Sequence, residues 1–174
     1  MTDVTDTPLP SQLWKQLPEE RRLAAAEGLW RDAHAVAEQG ELLGTIAQRI
    51  KFRIKSVFAM SVEKKARYVV ALPAVSEAVA ARLLIVYHVT HQRPMMGRFL
   101  EALEITHEDG MISDEEIAAP PQERLVAAAG TLASAFPAED VSLYLSTLIW
   151  QDPETWGGLA GLPEVSALPL TPTA

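Results

Sequence analysis

Arg49, Lys51, Arg53, Lys55, Lys64, Lys65 and Arg67 put seven cations into nineteen residues, with Glu63 the only acid among them. Cations at this density hold phosphate or carboxylate groups, unless the chain's own acids neutralise them. Part of the belt, residues 44–60, resembles a helix-turn-helix. Ile46, Ala47, Ile50, Phe52, Val57 and Met60 have the spacing that two crossed helices need, and Arg53, Lys55 and Ser56 would open the recognition helix. The pattern departs at its turn. Lys51 stands where a glycine usually reaches the left-handed conformation, and lysine there costs on the order of 1 kcal/mol more than glycine. In that reading Lys64, Lys65 and Arg67 add phosphate contacts. The plainer reading is one unbroken amphipathic helix whose Arg49, Arg53 and Lys55 are solvated or paired with acids.

A second candidate lies in Ile105–Glu116. Asp109, Gly110 and Glu116 match the second half of a calcium loop, with the closing carboxylate six residues past the glycine. The first half fails, because Ile105 and His107 stand where oxygen ligands are needed. A tight Asp-Gly turn followed by a Ser113/Glu116 capping box accounts for the same residues. The third candidate is His88 with His91, three apart near a helix end, which could hold a metal. Thr90 sits where a zinc hydrolase of the His-Glu-x-x-His type needs its glutamate. A half-buried His88 and a His91 that favours the negative end of its helix explain the pair without metal. No nucleophile elbow, phosphate loop or dinucleotide fingerprint accompanies these residues.

The elements that position them are helical. Apolar residues recur at three and four, and prolines punctuate them. Helices are expected over about 11–17, 19–39, 41–59, 61–72, 76–91, 95–105, 113–119, 121–136 and 138–151. Residues 49–55 also alternate as a half-buried strand would, but the helical face extends further in both directions. Leu43, Ile46, Ile50, Ile54 and Val57 are its expected buried stripe. Ser142 and Ser146 are expected to face outward. About eight helices make an all-α fold, a compact bundle or an irregular array of helical hairpins. One domain is expected over 11–161, between a flexible segment at 1–10 and a Pro-rich tail at 162–174.

Charge is segregated along the chain. Residues 1–48 carry −4, residues 49–98 carry +8 and residues 99–174 carry −12, within a net −8. Cysteine is absent, which removes thiolate chemistry and fits a cytoplasmic setting. The N-terminus lacks the charged and apolar regions of a secretory signal, and the longest apolar run is far too short to span a bilayer. A basic amphipathic helix can lie on an anionic membrane, but the apolar face of 43–57 is needed for the core, so no membrane partner is expected. The expectation is a non-enzymatic interaction or scaffold protein without cofactor. Its surface is Arg49, Arg53, Lys55, Lys64, Lys65 and Arg67, and its partner is an acidic protein or a second copy of the chain. Helix-turn-helix DNA binding and a metal site at His88/His91 are the alternatives.

Overall fold

A computed structural model describes residues 7–167. Among these residues the chain is all-α, with ten α-helices, two short 3₁₀ turns and one two-stranded hairpin. No described helix is long and apolar enough to cross a membrane. Residues 1–6 and 168–174, most of the two expected terminal segments, lie outside the described residues. The described residues form two compact units, Pro10–Thr90 and residues 7–9 with 91–167.

The first unit holds α1 (Pro10–Gln16), α2 (Glu19–Arg31), α3 (Val36–Ile50), α4 (Ile54–Phe58), α5 (Val62–Ala71) and nearly all of α6 (Glu77–His91). α2 packs on α5, and α2 meets α6 at Gly28, where a Cβ would lie only 2.6 Å from Val86 Cγ1. Ser61 caps α5 by accepting the Lys64 N–H, as its position before an amphipathic run predicts. Ser11 does not cap α1. Its N–H and hydroxyl both donate to the Glu77 carboxylate, tying α1 to the start of α6.

Two helix ends differ from expectation. The helix from Glu19 stops at Arg31 instead of running to Gln39. Asp32 is extended and its carboxylate accepts the His34 N–H, a local bond that competes with helix. Gln39 then donates to the carbonyls of Leu29 and Asp32, so groups freed at the break are satisfied from the next helix. Gly40 follows the expected helix end at 39, where a glycine commonly stops a helix, yet it lies inside α3. The helix expected over 41–59 is likewise two helices, broken at Lys51.

The second unit holds α7 (Arg93–Ala102), the hairpin β1 (His107–Glu108) and β2 (Met111–Ile112), α8 (Gln122–Ala135), α9 (Ala138–Gln151) and α10 (Pro153–Trp156). Phe99 of α7 sits edge-on to Tyr144 at 5.7 Å and against Trp156 at 5.7 Å, which places an aromatic cluster in the core. Trp150, the other C-terminal tryptophan, donates its indole N–H to the Pro8 carbonyl. Ser142 and Ser146, expected outside, are fully buried. For Ser142 the reason is the segment after Leu162, whose 3₁₀ turn Val165–Ala167 contacts α9 and accepts the Ser142 hydroxyl at Val165 O, 2.6 Å. No helix forms at 113–119. Only six residues, 114–119, separate the Ser113 cap from Pro120-Pro121, too few to offset nucleation, and a residue before proline avoids helix.

Candidate functional site: a cationic turn with an exposed apolar tip

The break in the 41–59 segment builds the site. Lys51 adopts φ 58°, ψ 39°, the left-handed conformation. The Phe52 N–H reaches back to the Ala47 carbonyl at 2.9 Å, closing a Schellman cap on α3. Arg53 is extended at φ −75°, ψ 146°, and α4 starts immediately after it. Helix, three-residue turn and helix therefore follow one another where the resemblance to a helix-turn-helix lies, with Lys51 in the glycine's place. The second helix has only five residues.

Lys51, Phe52, Arg53, Ile54, Lys55 and Ser56 are all exposed in succession. Val57 is the residue that anchors α4, with no exposed surface. Ile54, expected in the buried stripe, is 56% exposed, because the turn at 51–53 rotates α4 out of register with α3. Phe52 is 53% exposed and Phe58 66%. Ile54 and Phe58 are one turn apart on the outer face of α4, and Phe52 precedes them in the turn. Three half-exposed side chains of this size leave roughly 300 Å² of apolar surface, the scale of patches that serve as binding sites.

The cations divide by position. Arg49, Arg53 and Lys55 are exposed around the turn, with Lys51 among them, and none pairs with a carboxylate among the described residues. Lys64 and Arg67 are exposed on α5, where with Tyr68 and Ala71 they line a depression of about 330 Å³. Lys65 does not belong to the surface. It is 8% exposed, and its ammonium lies over Trp30 at 4.8 Å and Phe58 at 5.3 Å while donating to the Phe58 carbonyl at 3.3 Å. The long apolar stem makes this burial tolerable, and the ring faces and carbonyl receive the charge. Lys65 is thus a brace that fixes the end of α4 to α5 and α2.

The other candidates resolve into local structure. His88 is buried, and its Nδ1 lies 2.7 Å from the Leu84 carbonyl in its own helix, while His91 is exposed as the last residue of α6. Among the described residues no group of three or more His, Cys, Asp or Glu side chains could hold a metal ion. Asp109 and Gly110 have φ of 49° and 85° and form the two-residue turn of a hairpin pairing His107 with Ile112 and Glu108 with Met111. Arg93 donates to the Asp109 carbonyl at 3.1 Å and carboxylate at 3.4 Å, and the Gly110 N–H donates to His107 Nδ1 at 3.0 Å. His107 Nε2 faces Glu101 at 3.6 Å. These residues line a cleft of about 420 Å³ with Arg98 and Phe136, but both nitrogens of His107 are engaged in holding the hairpin. Glu116 lies beyond the hairpin on an exposed, irregular segment.

The exposed apolar residues of the turn are what the sequence reading missed. Nothing in the sequence marked them as exposed, because the alternation Lys51-Phe52-Arg53-Ile54-Lys55 reads equally as a half-buried strand and Phe58 lies beyond it. Comparison with protein-family models, with curated proteins and with solved structures finds no match.

Proposed function

We propose that the chain is a non-enzymatic helical interaction protein that docks an acidic protein partner through the turn Arg49–Phe58. The observation that carries this reading is the mixture of chemistries at one place. Cations with no carboxylate partner among the described residues surround Phe52, Ile54 and Phe58, each of these three more than half exposed. A partner offering carboxylates alone satisfies the cations and leaves the apolar surface wet. An acidic segment with apolar side chains of its own satisfies both, and burial of roughly 300 Å² at about 25 cal/mol per Å² adds several kcal/mol gross to the charge attraction. The absence of cysteine supports a reducing, cytoplasmic setting as part of the same reading.

DNA binding is the second reading, favoured by two helices, α3 and α4, joined by a three-residue turn with Arg53 exposed. Against it, a five-residue α4 offers barely more than one turn to a major groove, and its outer face carries Ile54 and Phe58. A fluorescence-anisotropy titration separates the two. An acidic amphipathic peptide is expected to bind, with affinity lost in a Phe52→Ser, Phe58→Ser variant. Duplex DNA of equal charge is expected to bind weakly and without regard to that variant. Tight duplex binding with a steep salt dependence, abolished by Arg53→Glu but not by loss of the phenylalanines, would establish the DNA reading instead.

A further inference from the structure

We infer that the partner of the cationic turn is a second copy of this chain, seated through its acidic hairpin at Glu108–Glu116; this rests on the reading of the turn as a protein-docking surface. The hairpin mirrors the turn in chemistry. Met111 and Ile112, the two residues of β2, are 43% and 37% exposed. Glu108, Asp114, Glu115 and Glu116 are exposed around them, and none forms an ion pair among the described residues. Four uncommitted anions with two apolar side chains face four uncommitted cations, Arg49, Lys51, Arg53 and Lys55, with three apolar side chains. Asp109 takes no part, since Arg93 already holds it.

The turn and the two-stranded hairpin are preorganised, whereas Asp114–Glu116 follow the hairpin on an irregular segment. The turn is set by the Schellman cap at Lys51 and by the Lys65 brace at Phe58. The hairpin is set by its Asp109-Gly110 turn, by Arg93 and by His107, and it sits so close to α7 that a Cβ on Gly110 would lie 2.9 Å from Met96 Cβ and 3.0 Å from the Arg93 carbonyl. Rigid surfaces lose little freedom on docking, which favours a contact of modest area. The two patches differ, so each copy offers one of each, and turn-to-hairpin pairing joins copies either reciprocally or head to tail.

Charge reversal on each side tests this. In sedimentation velocity at low salt the wild-type chain is expected to associate with rising concentration, and the association constant is expected to fall at least about tenfold at high salt, where the Debye length drops to a few ångströms. Arg53→Glu with Lys55→Glu reverses two charges of the turn and takes it from +4 to zero, and Glu115→Lys with Glu116→Lys takes the hairpin from −4 to zero, so the mixture keeps one intact turn and one intact hairpin. All four positions are exposed, and circular dichroism checks that each variant is folded. Each double variant alone is expected to be monomeric, and an equimolar mixture of the two is expected to associate, because it contains turn–hairpin pairs of opposite charge. A wild-type chain that stays monomeric from low to high salt overturns the inference. So does association that the turn reversal abolishes and the hairpin reversal leaves intact, which would keep the turn as a docking surface and assign it another acidic partner. Association indifferent to the turn reversal overturns both.

Discussion

Replacing Lys51 by glycine should make the protein more stable, although the same change one turn earlier should weaken it. Lys51 holds φ 58°, a conformation that costs an L-residue about 1–2 kcal/mol and glycine almost nothing. Glycine gains freedom in the unfolded chain, which returns about 0.4–1 kcal/mol of that advantage. The Lys51 side chain is exposed and forms no ion pair among the described residues, so its removal forfeits little contact. The net expectation is a gain of about 0.5–1 kcal/mol for Lys51→Gly and no change for Lys51→Ala, since alanine carries the same left-handed penalty. Gln48→Gly, at an exposed position inside α3, should lose about 0.5–1 kcal/mol. Urea unfolding followed by far-ultraviolet dichroism gives all three values, with the slope unchanged among variants. If residues 41–59 were one continuous helix, Lys51→Gly would be as damaging as Gln48→Gly. That result would refute the turn and every argument built on it.

Three further outcomes follow from the packing. Gly28→Ala forces a methyl to within 2.6 Å of Val86, so it should cost about 1–3 kcal/mol in the same unfolding assay. Gly110→Ala combines a φ of 85° with contacts of 2.9–3.2 Å to α7, and should both destabilise the chain by about 2 kcal/mol or more and broaden the hairpin amide resonances. Burial raises the Tyr144 phenol well above its ordinary value, so the fold favours the neutral form. Its contribution is fully present below the unfolded phenol's value near pH 10 and is lost as pH rises further. Unfolding free energy should therefore fall steeply above about pH 10, and Tyr144→Phe should flatten that fall.

The sequence read well wherever a helix end had a chemical marker. Ser61 was legible as a cap, and Pro18, Pro121 and Pro137 as entries to α2, α8 and α9. It read poorly where an end lacked one. Lys51 and Glu104 both terminate helices in the left-handed conformation, with Phe52 and Ile105 donating back to Ala47 and Leu100. Neither position is glycine, so tertiary packing outweighs a local preference that points elsewhere. Gly40 gave the opposite error, a glycine with nothing within 4 Å of its would-be Cβ, carried inside a stable helix.

The same physics explains the site. The belt was visible as charge, and most of it is exposed. Lys65 was not separable from its neighbours, because nothing local distinguishes a lysine that stacks on Trp30 from one in water. Ile54 was expected in the buried stripe and Phe52 at a crossed-helix contact, whereas the turn carries both outward and leaves Phe58 exposed as well. Apolar residues that the fold leaves uncovered are informative only once the fold is known. Ser142 shows the converse, since the segment that accepts its hydroxyl lies beyond a proline break and left no periodic trace.

The central claim is that something acidic and apolar covers the turn, and the most direct measurement asks what that is. Phe52 replaced by a photoreactive phenylalanine analogue should, on irradiation at low salt, give a cross-linked dimer whose joined peptides contain the turn and residues 107–119. Cross-links that map elsewhere on the chain, or an irradiated sample that stays monomeric at concentrations where the wild type associates, would contradict the account.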